Sequence, residues 1–500
     1  MITIISIIDK HHKQCMTDGI ILFYDILLFS KIRPMRHSTL PILIVLFLTH
    51  ISSLHGQYTL RPLSDTVPAK VATLMKRPVP AIIENLATNI FINRIDADLR
   101  DLHWAKVTPA TWVKNIKTGV KPDYDRFSTN WVGHPYHGSI FYNAARANGY
   151  NYWESYPFTI GGTLMWEYFG ETYAPSEIDI ATMSLGGVYL GELTHRLSEA
   201  LWYKISSKNK VLRYTATSLL NPMSRINSFF VKNKVQSYDN NEAPLIMGEF
   251  SLSTTYPMRY LRNNVLGSRG SMNLSLIYGD LFKPNTQRYQ PFDFFIFNSW
   301  LDFNINSTDK GLYFNVLSHT PLFVKHLNDN SVLSISQHYD YLTNSAFKIG
   351  SLAFTSDYSS QYYWKKWTWN TSIKGGFIVF GSGQSQIIDY IYNSDDPEFE
   401  RDYIYGSGYT TEAELMLQNN KFGKFLGSMN RWVIYPARDA RGVEDLILVN
   451  IQYHYPINTN MNVGLQVNYY KRFANYVDYK EFQKIHNSYH EFKSLLSWSF

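Results

Sequence analysis

The sequence predicts an α+β protein: an N-terminal helical segment followed by an antiparallel transmembrane β-barrel of about 12 strands. Two observations predict this fold. From about residue 241 onward the chain breaks into segments of roughly ten residues in which apolar and polar side chains alternate, separated by Asn, Asp, Gly, Ser and Pro turns. The composition is 16% aromatic, with 37 Tyr, 30 Phe and 12 Trp, beside only 18% charged residues. That load suits aromatic girdles at two membrane interfaces better than it suits an average soluble core.

Residues 1–56 look like delivery. Met35 to Gln57 places Arg36 and His37 ahead of an apolar run, Leu40 to Leu48, that is too short for an ordinary spanning helix and ends near the small residue Gly56. This is the layout of a secretory signal peptide, with cleavage expected near Gly56 and the true start at Met35. The competing interpretation is that Ile20–Phe29 belongs to a longer anchor. The single cysteine, Cys15, lies ahead of that cleavage point. A mature chain without cysteine excludes thiol nucleophiles, disulfides and thiolate metal sites.

Residues 57–120 read as a Pro-punctuated lead-in with helices around Pro80–Leu99 and Pro109–Lys117, each opened by a tolerated proline. Residues 121–240 hold a helical domain, a possible plug for the barrel, followed by a polar bridge to about Asn240. Its helices are expected at Gly138–Ala147, Pro157–Glu171 and from Pro175 to Arg196. Ser184, Gly187 and Gly191 form a small-residue stripe that admits close helix approach.

Residues 241–500 are the barrel. Alternation is explicit at Ile246–Leu252, Met272–Leu276, Leu333–Tyr341, Ala413–Leu417, Ile447–Tyr455 and Met461–Tyr469. Further strands are expected at Phe292–Phe303, Leu312–Leu322, Ala346–Thr355, Tyr362–Trp369, Lys374–Phe380 and Gly423–Ile434. Trp364, Trp367 and Trp369 beside Lys365 and Lys366 have the character of an interface belt. In His490–Phe500, Phe492, Leu496, Trp498 and Phe500 alternate with polar residues. A chain ending in an aromatic residue on such a strand resembles the sorting signature of outer-membrane barrels, which implies outer-membrane lipid and the barrel-assembly machinery as partners. A secreted β-sandwich would alternate too, but it explains neither the strand length nor the aromatic load. The formal charge of +6 is spread without a basic arm, so no nucleic-acid partner is expected.

The stretch Asn130–Arg196 carries polar residues that an apolar core does not tolerate unpaired. Glu167 and Glu171 share an i, i+4 column, with Asp179, Glu192 and His134 as companions; Glu167, Glu171, His134 and Arg146 are the candidate catalytic residues. Asn130, Ser139, Asn143, Asp179 and Glu192 are the candidate substrate-binding residues. Clustered carboxyls in a low dielectric raise one another's pKa, as in a general acid or base. The alternative is a structural network in which Arg146 and Arg196 neutralise the acids. Glu-x-x-x-Glu lacks the Glu-x-x-His spacing of carboxylate metal bundles, so no metal is expected. Without a Walker loop or a dinucleotide fingerprint, no cofactor is expected either. His134 and Ser139 keep a hydrolase possible, although capping of the helix start by either is the simpler role.

The stretch from Asp123 to Arg196 resembles a domain-of-unknown-function family, number 3943, of Gram-negative outer-membrane proteins. The likeness is carried by Asn130, His134-Pro135-Tyr136, Gly138-Ser139, Asn143-Ala144-Ala145-Arg146, Trp153, Trp166-Glu167, Glu171, Pro175-Ser176, Asp179, Gly186-Gly187 and Gly191-Glu192. It implies no activity. A fainter similarity links Glu167, Glu171, Asp179, Ser184, Gly187 and Gly191 to VanZ-like membrane proteins. Two function classes follow: a structural element or narrow pore, or a membrane enzyme acting on lipid or envelope glycoconjugate.

Overall fold

The structure, a computed structural model, describes residues 76–230, 246–257, 269–283, 289–304, 312–344, 347–392 and 399–500. The expected signal peptide, its alternative anchor and the end of the polar bridge lie outside the described residues.

Eight helices precede the barrel among the described residues: α1 (Pro78–Arg94), α2 (Pro109–Thr118), α3 (His134–Ala147), α4 (Tyr152–Phe169), α5 (Glu177–Ala181), α6 (Gly187–Lys204), α7 (Lys210–Leu220) and α8 (Pro222–Phe230). Their starts follow local chemistry. Thr108 and Thr111 form a capping box ahead of α2, as Asn151 and Glu154 do ahead of α4. Single π turns interrupt the helices at Ile95–Leu99, Thr129–Gly133 and Thr182–Gly186. The last of these joins α5 to α6, so the expected third helix runs on to Lys204 with a wide turn inside it.

Three expectations for this region change. Neither His134 nor Ser139 caps α3: the π turn Thr129–Gly133 feeds directly into it, and the Ser139 hydroxyl donates to Tyr136 O at 2.6 Å. Glu171 lies beyond the end of α4, which stops at Phe169 with Gly170 at its C-cap. The segment read as a polar bridge contains α7 and α8. They are fixed to α6 by Arg213 and Arg225, whose guanidinium carbons lie 3.9 and 4.1 Å from the Trp202 ring centre.

The small-residue stripe performs as expected. A Cβ at Gly138 would stand 1.9 Å from Met183 O, and one at Gly187 would stand 2.7 Å from the Gly138 backbone. α3 and α6 therefore cross with their backbones in contact, and only glycine fits at either position.

Twelve antiparallel strands close into a barrel: β1 (Ile246–Pro257), β2 (Arg269–Tyr278), β3 (Phe295–Asn304), β4 (Leu312–Asn328), β5 (Ser331–Thr343), β6 (Lys348–Trp364), β7 (Trp367–Gln384), β8 (Tyr403–Asn419), β9 (Gly423–Pro436), β10 (Gly442–Pro456), β11 (Met461–Tyr476) and β12 (Ile485–Ser499). β12 pairs with β1 from Glu249↔Ser499 to Pro257↔Glu491, which completes the cylinder. A ninth helix, α9 (Gln386–Tyr392), lies between β7 and β8. One expected strand is absent. Tyr362–Trp369 is the hairpin joining β6 to β7, with Lys365 at φ 55° and Trp364 opposite Trp367. Aromatic residues on both flanks of a Lys-Lys turn look like one continuous strand in the sequence.

The two faces of the wall can be assigned from which side chains meet. Trp432 on β9 donates to Asp340 on β5 at 2.9 Å; Lys493 on β12 reaches Asp302 on β3 at 3.2 Å; Lys424 on β9 reaches Glu249 on β1 at 2.7 Å. None of these strands are neighbours, so the contacts cross the lumen. One end of that lumen is packed with Leu342, Ile349, Ile404, Ile434 and Leu446, joined by Ile387 and Ile388 of α9. If Asp340 points inward, Gln337, Tyr339 and Tyr341 point outward, because side chains alternate along a strand.

The helices touch that outward set. Tyr189 of α6 stacks on Tyr339, with ring centres 5.7 Å apart, and bonds Ser318 at 2.7 Å. Tyr152 of α4 donates to Gln337 at 2.8 Å. Trp131 covers Gly350, the partner of Tyr341 on β6, and stacks on Phe380. The helical domain therefore lies against the outer wall of β4 to β8. The expected plug is corrected: the described helices before the barrel do not occupy the lumen, because the barrel's own side chains fill it.

The glycine crossing yields a test. Gly187→Ala should force α3 and α6 apart at a cost of about 1–3 kcal/mol, read as faster proteolysis of the helical domain while the barrel keeps its heat-modifiable mobility on gels. A variant as protease-resistant as wild type would contradict the tight crossing.

Candidate functional site

Most of the buried polar residues singled out from the sequence fall into two clusters of the helical domain. The first begins where Lys121 bridges the chain around Pro175: Lys121 N donates to Pro175 O at 2.8 Å and Glu177 N donates to Lys121 O at 3.0 Å. This lays Asp123 beside Ser176, whose hydroxyl donates to Asp123 Oδ2 at 3.0 Å and accepts from Asp179 N, also at 3.0 Å. Ser176 N donates to Glu167 Oε2 at 2.8 Å. Asn130, set by its π turn, donates to both Asp123 oxygens and bonds Tyr403 of β8 at 2.5 Å. His134 Nε2 stands 3.5 Å from Asp179 Oδ2 and 3.7 Å from Asp125 Oδ2. Trp166 Nε1 donates to Glu171 Oε1 at 2.7 Å.

Glu167, Glu171, His134, Asp179 and Asn130 are thus brought together, along with Asp123, Asp125 and Ser176, which the sequence did not single out for this site. Among the described residues, no group of three or more His, Cys, Asp or Glu side chains is placed to hold a metal. Several atoms in the cluster have no hydrogen-bond partner despite burial: Glu167 Oε1, Asp179 Oδ1 and His134 Nε2.

The electrostatics follow from burial and like charge. Burial, then the charge of Glu171, pushes Glu167 well above the usual carboxylate range. Asp179 is pushed well up by burial and by Asp123 and Glu167. Burial also lifts Glu171, opposed by His134, to about 7. Burial alone would lower His134, yet Asp125, Glu171 and Asp123 carry it above its ordinary value. His137, buried against Trp166 and repelled by His134, falls to about 3. Burial thus favours the protonated form of Glu167 and Asp179, while the neighbouring carboxylates favour the charged form of His134.

The second cluster takes Arg146 and Glu192 elsewhere. Glu192 is fully buried and accepts from Arg196 Nε and the Tyr142 hydroxyl at 2.8 Å and from Arg146 Nη2 at 3.2 Å, with Arg146 Nε paired to it by charge at 2.8 Å. Burial alone would raise it, but the two guanidinium groups hold it at about 2. Arg196 also reaches Pro291 O at 3.1 Å and Asp293 Oδ1 at 3.4 Å in the β2–β3 connection. This charged network fastens α3 and α6 to the barrel. Asn143 is engaged with Thr194 and Asn221 at 3.2 and 3.1 Å. Arg146, Asn143, Ser139 and Glu192 are accordingly apart from the acid–histidine cluster.

What the sequence reading missed had faint signals. Asp123 and Asp125 sit ahead of the helical periodicity, where acids read as solvated loop. Two of the π turns flank the cluster, and such turns collect at functional sites, but no sequence pattern announces them.

Residues 119–223 match the family model described as Domain of unknown function (DUF3943). The likeness to VanZ-like proteins found no support. The search of curated proteins found no match. Among solved structures, a KdgM porin is similar at 9% identity and TM-score 0.25, over 50% of this chain and 99% of that one. The outer membrane channel DcaP of Acinetobacter baumannii has 10% identity and TM-score 0.23, over 52% and 97%. An anion-selective porin from Comamonas acidovorans has 8% identity and TM-score 0.23, over 51% and 99%. At such scores, the twelve-strand closure rests on the strand pairing of this chain alone.

The pH response of the first cluster follows from its signs. Carboxyls raised in the folded state lend stability below their unfolded pKa of about 4.5, and that stability is lost as pH rises through about 7. Hydrogen exchange in α4 and α5, corrected for intrinsic rate, should accelerate between about pH 4.5 and 7, and Glu171→Gln should flatten the change. Glu192, held low, contributes nothing to this window. Exchange that slows with rising pH would contradict the assignment.

Proposed function

We propose that the chain is an outer-membrane β-barrel protein whose barrel is a closed anchor for the helical domain and not an open channel. The observation that carries this reading is the lumen itself: Trp432–Asp340, Lys493–Asp302 and Lys424–Glu249 bridge it, and apolar side chains pack one end. Support for a membrane position comes from the outer wall. Leu333, Ile335, Phe377, Ile451, Leu465 and Val467 are exposed there, and Trp364, Trp369, Tyr362 and Tyr363 crowd one rim. In this reading outer-membrane lipid surrounds the wall, and β12, together with Phe500, which pairs with Gly248 across the closure, presents the barrel to the assembly machinery. In planar bilayers the purified protein should give no conductance steps. Steady ohmic steps of porin size would refute the closed anchor.

A second reading is favoured by the unpartnered Glu167 Oε1 and Asp179 Oδ1 beside His134. Buried carboxyls with raised pKa values, next to an imidazole that is also raised, can act as acid and base on one substrate. The domain would then be a membrane enzyme acting on lipid or envelope glycoconjugate through Glu167, Glu171 and His134, with Arg146 holding the helices. Glu167→Gln should alter the lipid or glycoconjugate profile of the envelope by mass spectrometry while leaving barrel mobility on gels unchanged. An unaltered profile with an intact fold removes the enzyme reading.

A further inference from the structure

We propose that one face of the helical domain, formed by α1 and α4, is bathed in the hydrocarbon of the same bilayer that the barrel crosses. This rests on the membrane position proposed above and extends it from the strands to the helices.

α1 is built inside out. Its exposed side carries Val79, Ile82, Ile83, Leu86 and Ile90, each between 44% and 63% exposed, and no charged residue is exposed between Val79 and Ile90. Its buried side carries Asn85, Asn89 and Asn93. These amides donate to Phe158 O, Gly162 O and Gly170 O of the α4 segment at 2.9, 3.1 and 2.9 Å. A water-facing helix places these residues the other way round. α4 repeats the pattern: Trp153, Pro157, Ile160, Gly161, Leu164 and Phe169 are exposed, while Ser155, Thr159, Thr163 and Glu167 are buried.

The face is bounded as a bilayer would bound it. Lys76 pairs with Glu154 at one end and Arg94 with Asp98 at the other. The 17 residues of α1 span about 25 Å, close to the roughly 25 Å apolar band of outer-membrane barrels. No described helix is long and apolar enough to cross a membrane, so these two are apolar on their outward side only and depend on the wall behind them. Continuity with the barrel selects lipid as the occupant. Trp153 stacks on Phe323 of the outer wall, ring centres 5.8 Å apart. Leu333 and Ile335 are exposed on the same strand face where Gln337, Tyr339 and Tyr341 go under the helices. The domain takes the place of lipid along that stretch and then presents an apolar surface of its own.

The test uses the full chain in proteoliposomes in a Cys15→Ser background, with spin labels placed singly at Ile83→Cys, Ile90→Cys and Leu164→Cys. Leu465→Cys marks the barrel belt and Asn330→Cys marks a turn in water. At the three helix sites oxygen should relax the label more than a nickel chelate does, with the ratio seen at Leu465. A ratio matching Asn330 while Leu465 stays lipid-like overturns this inference alone. A water-like ratio at Leu465 overturns it together with the membrane barrel. Exclusion of both reagents with dipolar broadening marks a second copy on the face and also overturns it. Photolabelling of the unmodified chain by a carbene probe carried on lipid acyl chains, mapped by mass spectrometry, should mark α1 and α4 beside β11; labels confined to the strands would count against it.

Discussion

The structure depends on side chains that cross the barrel. Trp432–Asp340, Lys493–Asp302 and Lys424–Glu249 join strands that are not neighbours. A lumen filled in this way excludes the helices, and the helical domain packs on the wall instead. It does so through a set of outward tyrosines and small residues, among them Tyr339, Tyr341, Gly350 and Ser318, that no lipid-facing strand requires. Strand register, set by alternation, thus decides where a domain more than a hundred residues upstream comes to rest.

Inside that domain the polar chemistry is divided between stability and possible function. In the Glu192 network every carboxylate oxygen is engaged: two guanidinium groups and a hydroxyl meet one carboxylate, and the two positive charges hold its pKa low. The Glu167–Asp179–His134 cluster is under-satisfied, with raised carboxyl pKa values and orphaned oxygens. Networks left partly satisfied cost stability, and natural proteins keep such arrangements at sites of function more often than elsewhere. This contrast, more than any motif, separates Glu167 from Arg146, which the sequence had grouped together.

Much of the fold was legible because period-two alternation is a local signal. Ile447–Tyr455 and Met461–Tyr469 lie within β10 and β11, and the small-residue stripe at Gly187 marked a real backbone crossing. The hairpin at Lys365-Lys366 was hidden because aromatic residues flank it on both sides. α7 and α8 were hidden because their hold is a pair of guanidinium groups on Trp202, a contact made only after folding. Polarity within an apolar stretch singled out Glu167, Glu171, His134 and Asp179, which lie together, but also Arg146 and Glu192, which lie apart from them. Asp123 could not be added, since its place depends on the Lys121 bridge to residues 175–177. The location of the helices was misjudged for a related reason: sequence distinguishes the two faces of a strand but does not say which one a distant segment will cover.

A density map of the purified protein in lipid nanodiscs would test the arrangement most directly. The account expects helical density against the outside of β4 to β8 and a cylinder crossed by its own side chains. Helices inside the cylinder, or an open water-filled bore, would contradict it.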